Sequence, residues 1–348
     1  MGRAIRLASR GSLALANLLA IAAILAAPSV FTSDKSELVF ISLLVASMQA
    51  GQAAAVQTNR KSGFRAYYAI PAALSPGAFA VSDHWAVLLG CAVGALTVGF
   101  GVGAYANGIL QDRGSSAYQV SILLRTLLWL ACILIGMTLD VTGGLAFGST
   151  AAFALMATIT LRESSTEQIG LVPMLGAAAG LIYRNDVTAV RALAPTDALT
   201  IWHQGLIAYA SVLSLVGFLI VNYWFARRDS DHVYLLGRRE RAWGSFVFAS
   251  FSALVLILSW SEVGGSLGDA LAILALSVMA TVTAIQAADL HLAQKSWAVY
   301  TGGLLGFSVL LLVGWTTRDP AIALGSHLTI IAVVGLAAAM RRPTGRSV

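Results

Sequence analysis

Arg125 is the charged residue whose position most needs a chemical explanation. It stands in the stretch SILLRTLLWLACILIGMTLD, which otherwise has the composition of a membrane-spanning helix. A charge at membrane depth is costly unless it is paired or faces water, so such a residue is by default a functional hypothesis. We expect its guanidinium to bind an anionic group of a substrate. The alternative is that Arg125, about six residues or about 9 Å inside its span, extends to the cytoplasmic interface.

Three amide side chains lie within other apolar stretches. Gln49 and Gln52 are three positions apart, so they share one face of a helix. Together with Asn222, they either line a polar path through the protein or form hydrogen bonds with neighbouring helices. The sequence leaves both interpretations open.

Two ionisable residues are candidates for proton coupling. An imidazole changes charge near neutral pH, which makes His327, in ALGSHLTII, one of them. Asp289 is the other, because it lies near the cytoplasmic end of a span together with His291 and Lys295, where these groups could form a gate. The structural alternatives are a histidine hydrogen-bonded to a neighbouring helix and a solvated loop end.

Prolines mark places where the helices are expected to break. Pro71, Pro76 and Pro173 free backbone carbonyl groups, and transporters often place binding sites at such discontinuities. The alternative is a kink or an incomplete crossing. A different pattern, Gly90-xxx-Gly94, has the spacing typical of close packing between membrane helices.

The composition identifies the elements that position these residues as membrane helices. The chain of 348 residues is 58% hydrophobic and 11% charged, against roughly 25% charged residues in soluble domains. Its net charge of +6 comes from short basic clusters between apolar runs, so nucleic acid is not an expected partner. Neither a metal or cofactor motif nor a catalytic constellation is visible, so we do not expect an enzyme.

Runs of about 20 apolar residues predict an all-α bundle of about twelve spans. They are 13–31, 38–56, 66–82, 85–106, 119–139, 143–161, 169–183, 204–226, 243–261, 270–288, 297–316 and 321–340. With both termini in the cytoplasm, most of the 22 Lys and Arg residues fall on the cytoplasmic side, including the cluster Arg60, Lys61 and Arg65. Whether 66–82 and 169–183 cross completely is left open.

The motifs ASMQAGQ, ALMATIT and SVMATVT recur in the second, sixth and tenth spans. Matching spans four helices apart would divide the single transmembrane domain 1–348 into repeats 1–110, 119–226 and 238–348. This division is a hypothesis, because small apolar residues produce such similarities by chance.

Two stretches resemble the fusaric acid resistance-like family of membrane proteins, the aromatic acid exporters. RAIRLASRGSLALANLLAIAAILAA followed by QTNRKSGFRAYYAIPAAL is similar to the opening of that family's helical bundle. RRERAWGSFVFASFSALVLILSW followed by AADLHLAQKSWAVYTGGLLGF is similar to a second copy, with Thr301, Gly302 and Gly306 near its Gly-Thr and Gly positions. The stretches cover roughly 3–110 and 238–340. The resemblance implies efflux of aromatic or other organic anions.

The sequence therefore predicts a multi-pass protein of the cell inner membrane that exports small organic anions, driven by the proton gradient. Its expected partners are the lipid bilayer, the anion, and either further copies of the chain or a partner subunit. The main alternative is a sensory or scaffold module that transports nothing and works with a partner subunit. A membrane enzyme acting on lipid is the third possibility.

Overall fold

The computed structural model describes residues 2–32, 34–57, 72–113, 115–161, 186–194, 199–227, 236–260, 266–292 and 295–340. Within these ranges every regular element is helical. The α-helices are α1 Gly2–Phe31, α2 Lys35–Gln57, α3 Trp85–Arg113, α4 Ser115–Met137, α5 Val141–Leu161, α6 Asp186–Leu193, α7 Leu199–Arg227, α8 Arg238–Trp260, α9 Ser266–Leu292, α10 Ser296–Thr317 and α11 Pro320–Met340. A 3-10 segment, Ser75–Ala80, precedes α3.

Seven of the described helices are long and apolar enough to cross a membrane, namely α3, α4, α5, α8, α9, α10 and α11. They coincide within a few residues with seven predicted spans, and α1, α2 and α7 cover the first, second and eighth. Large apolar side chains such as Trp260 and Leu139 are almost fully exposed, as expected for a surface that faces lipid. The prediction of an all-helical membrane protein is confirmed.

The two doubtful spans have different outcomes. The described end of 66–82 is a short α-helical turn at 72–74, followed by the 3-10 segment. The predicted span 169–183 lies outside the described residues, as does the basic cluster Arg60, Lys61 and Arg65.

The chain divides into two compact units, Met1–Ala192 and Leu193–Val348. The first unit holds α1 to α5, the 3-10 segment and nearly all of α6, and the second holds α7 to α11. The three-repeat division stays a prediction.

In the first unit, α2 and α3 pack in parallel through glycines. A β-carbon on Gly99 would lie 2.9 Å from the Cα atom of Met48, and one on Gly103 would lie 2.8 Å from the Cα atom of Gln52. Gly51 likewise approaches the backbone of α3 too closely for a side chain. Since residue numbers rise together on both helices, the two helices run in the same direction.

The 3-10 segment lies at the end of this pair where α2 begins. The Phe79 ring stacks on the Phe40 ring with centroids 3.9 Å apart, and a β-carbon on Gly94 would lie 2.8 Å from the carbonyl oxygen of Ala72. Gln57, the last residue of α2, is 17 residues beyond Phe40, or about 26 Å along a helix. The end of α2 and the start of α3 therefore lie at opposite ends of the pair.

Helices α4 and α5 form an antiparallel hairpin. Gly136 packs on Gly144 near the turn, and the Trp129 indole Nε1 donates a hydrogen bond to Ser149 Oγ at 3.1 Å further along. Asp140 caps α5, because its carboxylate accepts a hydrogen bond from the Gly143 N–H.

In the second unit, α10 and α11 form another antiparallel hairpin. It turns at Arg318, whose φ of 55° is left-handed, and Asp319 caps α11 by accepting hydrogen bonds from two N–H groups of its first turn. Helix α9 runs parallel to α11, since Gly325 packs near Leu276 and Gly335 near Leu290. Helices α2 and α3 of the first unit are likewise parallel.

Candidate functional site

Arg125 lies further along its helix than the sequence indicated. Helix α4 begins at Ser115, so Arg125 is about 15 Å from its first residue. Its side chain is 6% exposed, and Nη1 donates a hydrogen bond to the carbonyl oxygen of Val102 at 3.1 Å. The side chain thus packs against α3, which is not the geometry expected for one that extends to the water interface.

An aromatic ring completes the surroundings of this guanidinium. Its Cζ atom lies 4.5 Å from the centroid of the Tyr105 ring, within the range of a cation–π interaction. The Val102 carbonyl and the Tyr105 ring hold the charge in place. The arrangement offers a positive planar group beside an aromatic face, which are the two features that an aromatic carboxylate can engage.

The structure brings Gln52 to the same depth as Arg125. Gln52 packs against Gly103, while Arg125 contacts Val102 and Tyr105, so the two residues flank α3 at one level. Both Gln49 and Gln52 are half-buried on α2. Their role in a path stays a prediction.

An amide pair that the sequence did not single out joins α1 to α4. Asn17 Nδ2 donates hydrogen bonds to the carbonyl oxygen of Gln119 at 3.2 Å and to its Oε1 at 3.1 Å. Both residues are buried. In the sequence, the only sign of this contact was a lone Asn in an apolar run. Hydrogen bonding between α1 and α4 accounts for a polar residue at this position.

The predicted proline sites are only partly visible. Pro76 is buried within the first turn of the 3-10 segment, where a missing N–H interrupts no helical hydrogen bond. It therefore starts an element and does not break one. Pro71 and Pro173 lie outside the described residues. Asn222 is on α7, and its side chain also falls outside the described part.

Asp289 already has two strong partners. Its Oδ2 is 3.3 Å from Nε of Arg241, and its Oδ1 accepts a hydrogen bond from the Leu236 N–H at 3.3 Å. Nearby, Lys295 Nζ donates a hydrogen bond to the carbonyl oxygen of Ala338 at 2.6 Å. These contacts tie the start of α8 to the end of α9, and the start of α10 to the end of α11. A structural role accounts for Asp289, and proton coupling through it stays a prediction.

His327 is 1% exposed on α11, facing α10. A β-carbon on Gly306 would lie 2.8 Å from its Nδ1 and from its carbonyl oxygen, so Gly306 makes room for the histidine. The glycine that belonged to the family-like pattern thus has a steric reason here. The proton-coupling role of His327 stays a prediction too.

A second polar cluster, missed by the sequence analysis, lies where α2 begins. Glu37 is buried, and its Oε1 accepts a hydrogen bond from the Thr142 hydroxyl of α5. Arg191 of α6 is fully buried, and its Nη1 donates hydrogen bonds to the Leu38 carbonyl oxygen at 3.3 Å and to Ser42 Oγ. Burial lowers the pKa of the Arg191 guanidinium. The available signal was an acidic residue in the first turn of an apolar helix.

Among the described residues, no group of three or more His, Cys, Asp or Glu side chains could hold a metal ion. No family model, curated protein or solved structure matches the chain.

Proposed function

We propose that this protein is an exporter of small aromatic anions, driven by the proton gradient across a bacterial-type inner membrane. The observation that carries the proposal is the buried guanidinium of Arg125 beside the Tyr105 ring, about 15 Å inside α4. A bilayer interior strongly disfavours an isolated anion, so an exporter needs a fixed positive group on its path. The family resemblance of the two sequence stretches points to the same substrate class.

The contacts of the first unit support a third crossing, and with it a topology of twelve spans and two cytoplasmic termini. Helices that are neighbours along a membrane chain normally alternate in direction, yet α2 and α3 are parallel, which is the arrangement expected for two spans separated by one further crossing. The hydrogen bond between Glu37 and Thr142 agrees, because it places the starts of α2 and α5 at the same end. In the proposed topology this end is the outer one.

Transport by purified protein in liposomes tests the function. Wild-type protein should take up labelled benzoate or salicylate under an imposed pH gradient. Replacing Arg125 with Ala should lower the gradient-driven flux at least tenfold, because the anion loses its charged partner at membrane depth. Arg113→Ala, which removes an exposed arginine at the end of α3, is the matched control and should keep the flux within about twofold.

Both variants should elute as a single species and unfold like the wild type, so that a lost flux reports on the site. Equal fluxes for Arg125→Ala and Arg113→Ala would remove Arg125 from the path. A well-folded wild-type protein that moves none of a panel of aromatic acids would contradict the export function.

One observation favours the sensory or scaffold alternative. Only 11% of the apolar window of α8 is buried within the chain, the smallest share among the seven spanning helices described. Trp243, Phe246 and Ile257 are among its exposed side chains, and a partner helix is as suitable a cover for them as lipid. Absence of flux together with a stable complex with another membrane subunit would support this alternative.

A further inference from the structure

We propose that Glu37 is the carboxyl group that binds the coupling proton, an inference that rests on the proposed export function. Glu37 lies in the first turn of α2, at the outer end of the first unit in the proposed topology. Protons that drive export enter from this side. The sequence directed attention to Asp289 and His327, and Glu37 is a third candidate, which the structure adds.

One oxygen of the Glu37 carboxyl group is available to bind a proton. The residue is 5% exposed, and Oε1 accepts the hydrogen bond from Thr142. Its other oxygen, Oε2, is buried and has no hydrogen-bond partner among the residues that the structure describes. Leaving a buried charged oxygen without a partner is unfavourable, and a proton on Oε2 removes the charge.

No salt bridge between described residues reaches this carboxyl group. Arg191 of α6 also packs on the start of α2, where its Nη1 donates hydrogen bonds to the Leu38 carbonyl oxygen and to Ser42 Oγ. Asp289 differs in this respect, because Arg241 already compensates its charge.

The other charged groups at this end are distributed over every element that packs nearby. Asp34 and Lys35 stand at the start of α2, and Asp140 stands at the start of α5; both aspartates are exposed. Asp186 and Arg191 lie on α6, Asp83 and His84 follow the 3-10 segment, and the last two turns of α1 carry no charged residue. Burial lowers the pKa of the Lys35 ammonium group.

Protonation would change the contact between α2 and α5. With Glu37 ionised, the hydrogen bond from Thr142 is charge-assisted, and such bonds are roughly twice as strong as neutral ones. One proton from the outer solution forms an O–H bond at Oε2, no other bond changes, and the charge of the site goes from −1 to 0. The weakened contact allows the starts of α2 and α5 to separate, and the site is reset when the proton leaves to the cytoplasmic side.

Two transport modes in proteoliposomes separate this inference from the function itself. Exchange of labelled benzoate against unlabelled benzoate at equal pH needs anion binding and translocation, but no net proton movement. Uptake under a pH gradient needs coupling as well. Glu37→Gln imitates the neutral carboxyl group and keeps an acceptor for Thr142. Its exchange rate should therefore stay within about threefold of the wild-type rate. Its gradient-driven uptake should fall at least tenfold.

Asp34→Asn is the matched control. It removes an exposed carboxylate three residues away, while Asn preserves the cap that Asp34 provides for the Ser36 N–H. This variant should keep both modes. Infrared difference spectra between pH steps give a readout that does not depend on transport, and Glu37→Gln should lack a carboxyl band that the wild type and Asp34→Asn show.

Each outcome decides between the two proposals. Missing exchange in the wild type would contradict the export function. Normal exchange and unchanged gradient dependence in Glu37→Gln would overturn the role of Glu37 and leave export intact. Loss of both modes in folded Glu37→Gln would also overturn it, because Glu37 would then serve translocation in general.

Discussion

Adding a single methyl group at Gly99 should destabilise the first unit, because α2 and α3 touch there through their backbones. The new β-carbon would lie 2.9 Å from the carbonyl carbon and from the Cα atom of Met48. Ordinary carbon–carbon contacts lie at about 3.5–4.0 Å, and the Met48 carbonyl oxygen is nearer still, so the helices must separate by more than about 0.6–1.1 Å. Backbone atoms cannot rotate away as a side chain can, and overpacking of this kind costs about 1–3 kcal/mol.

The measurement is the free energy of unfolding in detergent micelles, for Gly99→Ala and a glycine control on the same helix. Gly90 is exposed, and a β-carbon there would meet nothing within 4 Å. Gly90→Ala should therefore be neutral or slightly stabilising, since Ala favours a helix by about 1 kcal/mol over Gly. A double variant, Gly51→Ala with Gly99→Ala, should cost less than the sum, because one separation of the helices relieves both contacts.

Equal stabilities of Gly99→Ala and Gly90→Ala would refute the reasoning, because the two changes add the same methyl group to one helix. A strictly additive double variant would show that Gly51 and Gly99 do not share a rigid interface. A destabilised Gly90→Ala would point to an intrinsic effect of the helix and not to packing.

The remaining stability predictions concern two contacts within the units. Arg241→Gln removes the partner of buried Asp289 and should lower the free energy of unfolding by about 1–3 kcal/mol, while Arg239→Gln, at an exposed position of the same helix, should change it by less than about 0.5 kcal/mol. Equal effects would show that the ion pair adds nothing. Trp129→Phe loses the hydrogen bond to Ser149 and should cost about 1 kcal/mol, and adding Ser149→Ala should restore part of it; a purely additive pair would contradict this.

Helix positions were predictable because the bilayer imposes them. A stretch of about 20 apolar residues has to be a helix in lipid, where every backbone polar group needs an internal partner. The sequence therefore located the starts of α3 and α10 within one residue. It placed the start of α4 four residues late, because the polar turn Ser115–Tyr118 belongs to the same helix. Arg125 is therefore ten residues, and not six, beyond the start of its helix.

Contacts between helices were less predictable, because they depend on the rotation of each helix about its axis. Gly90-xxx-Gly94 had the spacing for close packing, and Gly94 does pack against Ala72 and Ser75. Gly90 faces open space, so the packing interpretation was wrong for that residue. Similarly, Glu37 gave only a weak signal, since its burial depends on Thr142 of a helix about a hundred residues away.

The parallel pairing of α2 and α3 also has a consequence for the order in which the protein folds. Met48 and Gly99 touch although they are 51 positions apart, whereas Gly136 and Gly144 of the α4–α5 hairpin are 8 apart. Contacts between distant positions require closure of a longer loop and form more slowly. The hairpin can assemble as soon as its two helices are inserted, but α2 must wait for α3 to emerge from the ribosome and enter the bilayer. During that interval the face of α2 that carries Met48, Gly51 and Gln52 is open to lipid or to other chains, and it is the surface on which misassembly would begin.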